Sequence, residues 1–313
     1  MAKLKTGVFE IFIEGVKLYF LNFDKFMQYL AFPVFGQILG MILTLLASYF
    51  YAVNLPKWIA QGGNFKLFDN FSMIFLVLIL ITLPGLLIFA KALWDYLVAY
   101  GAINSMTDNM VKSGRVYDFA AHNELITRRT AGFVCLWLLV GIFSIVGMCP
   151  LFWVIGGILF VYFVLVFQVF AFEPDKSPIA CFKKSMILIK GNFARTVGLM
   201  ALLGILTYWI LPEGIKFLFN LVNVIGFMAI PIDAWSSQLP IAEMNKFLIN
   251  TPTAYQITSL WIAKLVVSSS IGYIIICLTL PIRSICWTLW YKSLNKAEMK
   301  LDKKFMDRVE KID

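Results

Sequence analysis

The sequence predicts an all-α membrane protein: six transmembrane helices arranged as three hairpins, each preceded by a cytoplasmic interfacial amphipathic helix. Three observations predict it. The 313 residues are 60% hydrophobic and only 14% charged, where a soluble domain carries about 25% charged residues, and mean hydropathy is +0.82. Six apolar runs each reach the roughly 17–25 residues that cross a bilayer. Finally, 22 of the 27 Lys and Arg residues fall on the connections at one side of those runs.

The elements follow in order. The opening "VFEIFIEGVKLYFLNFDKF" places Glu10, Glu14 and Lys17 at i, i+4 and i+7, one polar stripe on an otherwise apolar helix. The same three charges interrupt the apolar stretch and no small-residue cleavage site follows, so a cleavable signal peptide is not expected. Span one is Met27–Val53 and carries Gly36 and Gly40 in a GxxxG pattern. In span two, Phe71–Ala90, fourteen residues are Leu, Ile, Phe or Val. They contribute about −4 to −8 kcal/mol to insertion. "VYDFAAHNELITRR" leads into span three, Ala131–Met148, and Gly156 stands near the start of span four, Leu151–Phe172.

The lysine-rich stretch from Pro178 follows, with Ile179, Phe182, Met186 and Ile189 expected on one side, and then span five, Phe193–Leu211. Ile215–Ile230 is apolar enough to span if stretched. Pro212, Pro231, Asn220 and Asn223 favour an interfacial or re-entrant helix, because a mid-bilayer amide needs a partner. Span six is Ile257–Leu280, with a small-residue face from Ser268 to Gly272. Residues 1–294 thus form a membrane domain in units of about 7–103, 116–172 and 178–294. Residues 295–313 form a basic, mixed-charge cytoplasmic tail.

The side holding 22 cations outweighs the other, with Lys57, Lys66, Lys216, Lys246 and Lys264, by about four to one. The positive-inside rule then puts both termini in the cytoplasm of an inner (plasma) membrane protein. A net charge of +9 reads here as attraction to anionic headgroups rather than to nucleic acid. Membrane lipids are the expected partners, with another membrane protein or a second copy of the chain as further candidates.

"LNFDKF" and "KGNFAR" share Asn-Phe-x-basic at the start of a span, which supports a threefold repeat. "FEPDKSPIACFKKSMILIKGNF" resembles a recurrent stretch in a family of bacterial polytopic membrane proteins. That family is similar to the membrane domain attached to some glycerophosphodiester phosphodiesterases. The shared features are an acidic-Pro opening, a short helix in which Ala180 and Cys181 lead to Ser185, and a basic-Gly-Asn-Phe exit at Lys190–Phe193. "PIRSICWTLWYKSL", residues 281 to 294, is similar to the family's final span. The resemblance implies a six-helix membrane module. It implies no activity, since no stretch corresponds to the phosphodiesterases' soluble catalytic barrel.

Chemistry-bearing residues are sparse. The one histidine, His122, near Glu124 and Asp118, reads as a solvated loop residue. Cys135, Cys149, Cys181, Cys277 and Cys286 lack metal or disulfide spacing, and no metal or cofactor is expected. Glu173 and Asp175 flank Pro174 and are expected to cap or to pair with lysine. The expected headgroup contacts are Lys183, Lys184, Lys190 and Arg195, then Arg128, Arg129 and Arg283. Helix packing is expected at Gly36, Gly40, Gly156, Ser268 and Gly272. A candidate polar cavity would be lined by Gln37, Gln168 and Ser269. The resulting expectation is a non-enzymatic scaffold, assembly factor or lipid-interacting modulator. The alternative is a transporter or channel for a small or lipid-like solute; a lipid-modifying enzyme is a third class.

Overall fold

The computed structural model describes residues 7–61, 71–113, 116, 119–239, 241–246 and 256–309. Lys66 and Asp118, named above, and Lys3, Lys5, Arg115 and Lys311, counted among the 22 cations, lie outside them. All regular structure among the described residues is helical. The helices are α1 (Val8–Leu21), α2 (Phe23–Gln61), α3 (Phe71–Ser113), α4 (Phe119–Thr127), α5 (Thr130–Met148), α6 (Trp153–Phe163) and α7 (Val166–Phe172). They continue with α8 (Pro178–Ile189), α9 (Phe193–Gly204), α10 (Leu211–Leu221), α11 (Val224–Ser236), α12 (Ile241–Lys246), α13 (Ser259–Leu278) and α14 (Leu280–Val309). Among the described residues, six helical runs are long and apolar enough to cross a membrane: Phe23–Ile59, Ser72–Val111, Thr130–Gly147, Trp153–Phe172, Phe193–Leu221 and Ser259–Lys296. Their number matches the six expected, but several are longer.

The chain divides into two compact units, Met1–Met200 with Leu280–Asp313, and Ala201–Thr279. This differs from the three sequential units read from the sequence. The reason is α14, which is tied to helices near the N-terminus rather than to its own neighbours in sequence.

In the first unit α2 and α3 run antiparallel, and glycine sets their spacing. A Cβ on Gly40 would come 2.5 Å from the Phe89 nitrogen, and one on Gly85 would come 2.6 Å from the Thr44 nitrogen. Gly36 faces Ala92, where a Cβ would meet the alanine methyl at 2.9 Å. The α5–α6 crossing repeats the device, with a Cβ on Gly156 falling 2.6 Å from the Gly147 Cα. Where lipid replaces water, such backbone approach supplies much of the contact between helices.

α3 shows why hydropathy alone misjudged its length. At 43 residues it extends about 65 Å. Its first half presents Phe75, Leu76, Ile79, Leu80, Leu83, Leu86 and Leu87 outward. Past Lys91 and Asp95, which pair at 2.5 Å, it buries Ala92, Ala99, Ile103, Met106 and Met110, a stripe at helical period. The second half packs against protein rather than presenting an apolar surface outward.

α14 is the other core helix. Ile282, Ile285, Cys286 and Trp290 are fully buried, and α1 lies on it with Gly15 against Cys286. The region expected to be a tail begins inside this helix, which runs on to Val309.

The second unit is built from α10, α11 and α13 around Ile225, Ala229, Ala263, Val267, Ile271 and Ile275. Asn223, at φ 52°, joins α10 to α11 in the left-handed region that Asn tolerates better than most residues. Ile215–Ile230 is therefore two helices rather than one rod. At 13 residues α11 is about 20 Å long, short of the hydrocarbon thickness. Span five, expected to stop at Leu211, continues to Leu221. A π-helical stretch, Ile205–Ile210, precedes Pro212, and its wider turn eases the clash a proline makes with the carbonyl four residues back.

Candidate functional site

The cations expected at a membrane surface gather around α8 and the start of α9. α8 forms there for local reasons. Ser177 caps it by accepting from the Ala180 N–H at 3.3 Å, and Pro178 occupies its first turn, where a missing N–H costs nothing. It stops at Lys190, and Gly191, at φ +85°, turns the chain into Asn192 and α9. The buried side is Cys181, Phe182, Ser185, Leu188 and Ile189. Ser185 donates to the Tyr162 carbonyl at 2.6 Å. Burial pushes the Cys181 thiol up to about 11.

The outward side of α8 carries Ile179, Lys183, Met186, Ile187 and Lys190. The expectation that Ile179, Phe182, Met186 and Ile189 share one side is thus corrected. Phe182 and Ile189 enter the core, while Ile179 and Met186 stay exposed among lysines. Lys183 and Lys190 have no ion pair among the described residues; Lys184 is half-buried. Arg195, exposed on α9, has its guanidinium carbon 5.6 Å from the centre of the Trp290 ring. Trp290 is held in turn, donating to Thr196 Oγ1 at 3.1 Å.

The other expected headgroup cations have different surroundings. Arg128 is exposed and pairs with Glu124 at 2.7 Å. Arg129 reaches back into the protein. It donates to the Phe170 carbonyl at 2.7 Å and to the Lys176 carbonyl at 3.3 Å, and it lies 3.9 Å over the Phe170 ring. Phe170 is in the last turn of α7, whose carbonyls lack helical partners, so Arg129 is a C-terminal cap. Arg283 is half-buried in the first turn of α14.

Of the expected polar cavity, Gln37 and Gln168 belong to the first unit and Ser269 to the second. Gln37, 1% exposed, donates to the Pro33 carbonyl on its own helix at 2.9 Å. Gln168 donates to Asn104 Oδ1 at 3.2 Å. Ser269 is exposed on α13. Sequence reading missed Asn104, which is the hub of a buried node. Its Oδ1 also accepts from Ser284 at 2.6 Å and Thr288 at 3.2 Å. Asn104 Nδ2 and Gln168 Oε1 have no hydrogen-bond partner.

His122 is also corrected: it is not a solvated loop residue. It is half-buried on α4, bonded to Ser105 at 2.7 Å and to the Asn109 amide nitrogen at 3.0 Å. The Asn109 N–H needs an acceptor, which makes Nε2 the bare nitrogen and leaves Nδ1–H to Ser105. Glu173 accepts from Tyr291 at 2.8 Å and pairs with Lys176 at 3.4 Å. Among the described residues no group of His, Cys, Asp and Glu could hold a metal ion.

The second unit holds an open cleft of about 450 Å³ lined by Glu213, Lys216, Asn220, Trp261, Lys264 and Ser268 together with apolar side chains. Gly272 borders it, since a Cβ there would lie 3.6 Å from Lys216 Cε. Ser268 and Gly272, expected as a close-packing face, thus sit beside polar side chains.

The class that this fold defines is a multi-pass, all-helical membrane protein. No protein-family model matches the chain, nor does any curated protein or solved structure.

Proposed function

We propose that the chain is a non-enzymatic inner-membrane protein with both termini cytoplasmic, acting as a scaffold or modulator through contact with anionic lipid. In this reading the spans form three hairpins, and α1, α4 and α8 precede them in the headgroup plane. The observation that carries it is the outward face of α8. A helix lying in water would expose polar residues there, and one lying in hydrocarbon would expose apolar ones. α8 exposes Ile179, Met186 and Ile187 interleaved with Lys183 and Lys190. Apolar groups entering the acyl boundary and lysines reaching phosphates fit the interface between the two. α1 repeats the pattern, with Phe9, Ile13 and Phe20 exposed beside Lys17.

The test is a protein with Lys183, Lys184, Lys190 and Arg195 all changed to Gln, examined by native mass spectrometry after purification from mixed lipid. A clear loss of bound anionic lipid is expected, with zwitterionic lipid retained. Unchanged anionic-lipid retention overturns the reading.

A further inference from the structure

We infer that the cleft of the second unit is a binding site for a phosphate-ester oxyanion, and specifically for the phosphodiester headgroup of a membrane lipid. The inference goes beyond the α8 surface and uses none of its residues.

The cleft's floor is unusual for helices this apolar. α10 places Glu213, Lys216 and Asn220 at i, i+3 and i+7, so they share one face. α13 answers with Trp261, Lys264 and Ser268 at the same spacing. Ionisable groups within membrane helices are costly and point to function by default. Here two of the three are already coupled. Lys216 donates to Glu213 and its side chain is only 20% exposed, laid along α13 where Gly272 leaves room. Lys264 is exposed, with no partner among the described residues. The set Glu213, Lys216 and Lys264 therefore sums to one positive charge.

Charge, size and walls together choose the ligand. A surplus of one positive charge matches the single negative charge of a phosphodiester. Two ammonium groups, the Asn220 amide and the Ser268 hydroxyl supply donors for its oxygens. Phe217, Ile225 and Leu265 line the same cleft, which suits the first carbons of acyl chains and would be idle around a free phosphate. The volume lies within the range of small-molecule sites, about 300–1,000 Å³.

The experiment is a titration of the full-length protein in neutral detergent with short-chain phosphatidylglycerol, and separately with inorganic phosphate. The readout is bound mass in native mass spectrometry. Lys264→Gln should weaken lipid binding about tenfold, the scale of one lost charge-assisted bond. Glu213→Gln leaves a surplus of two positive charges and should strengthen it. Opposite signs from neighbouring substitutions cannot come from misfolding. Lys183→Gln with Lys190→Gln should leave this binding unchanged, which separates the cleft from the α8 surface. Unaltered binding in Lys264→Gln, or weakening in Glu213→Gln, overturns the inference. Inorganic phosphate binding as tightly as the lipid overturns the lipid assignment.

Discussion

Replacing Arg129 separates a structural role from a headgroup role, because the two readings of this residue predict opposite results. The guanidinium serves the Phe170 carbonyl at 2.7 Å and the Lys176 carbonyl at 3.3 Å. It also sits 3.9 Å over the Phe170 ring. A hydrogen bond from a charged group contributes about 1.5–3 kcal/mol when buried. Arg129 is half-buried and its second bond is long, so the lower figure applies to the first bond and less to the second. The ring contact adds about 0.5–1 kcal/mol. Arg129→Ala should therefore cost about 2–3 kcal/mol and lower Tm by roughly 5–10 °C, read by intrinsic fluorescence in detergent. Arg129→Lys keeps the charge but lacks the planar fork, and should recover less than half. Bound anionic lipid should change little in either variant. A Tm within about 2 °C of the parent in Arg129→Ala, together with a loss of bound anionic lipid, would refute the capping argument and return Arg129 to the headgroup set.

Gly40→Val should disrupt the α2–α3 contact, since its Cβ would fall 2.5 Å from the Phe89 nitrogen; a loss of at least about 2 kcal/mol is expected. Gly141→Ala, with nothing within 4 Å, should be neutral in the same thermal assay. Cys149, exposed between α5 and α6, should react with a membrane-impermeant maleimide added to intact cells. Cys181 should not react even in detergent at pH 8: it is buried, and a thiol pushed up to about 11 is only about one part in a thousand thiolate there. Labelling of Cys149 only after lysis would reverse the proposed sidedness. Asn22→Ala should cost about 1–3 kcal/mol, because it strips the Val116 N–H of its acceptor at 2.9 Å. Asn192→Ala should cost clearly less, and equal losses in chemical denaturation would contradict the difference between them.

That last pair shows what the sequence could and could not reveal. "LNFDKF" and "KGNFAR" look alike, and both mark the same event: a short helix ends, an Asn closes the break (one residue at Asn22, three at Lys190–Asn192), and the next helix starts at Phe23 or Phe193. The similarity stops at the backbone. The Asn22 side chain joins the Leu18 carbonyl to the Val116 amide across 94 residues of chain, and no local pattern encodes such a partner. His122 was misread for the same reason, since its bonds to Ser105 and Asn109 depend on how α4 lies on α3. The apolar spans were legible because insertion depends on composition summed over about twenty residues. The hub at Asn104 was not: its partners Gln168, Ser284 and Thr288 come from two other helices. The continuation of α3 past Lys91 could have been read from the period of Ala92, Ala99, Ile103, Met106 and Met110, which a search for lipid-length hydropathy passes over. The cleft's Glu213, Lys216 and Asn220 spacing was equally visible.

The two halves of α3 indicate where specificity resides in this chain. Leucines and phenylalanines facing lipid gain nothing from burial against another helix, because acyl chains are equally apolar. There, contact relies on Gly36, Gly40 and Gly85 bringing backbones together. Beyond Lys91 the rule changes, and apolar side chains, buried amides and aromatic pairs such as Phe172 on Tyr291, 5.5 Å apart, assemble a core of the kind found in soluble domains. α14 belongs wholly to that second environment through Leu294, despite a composition that reads as the close of a span. A single hydropathy scale cannot separate the two environments, because both select apolar residues; what separates them is whether the apolar face finds protein or lipid.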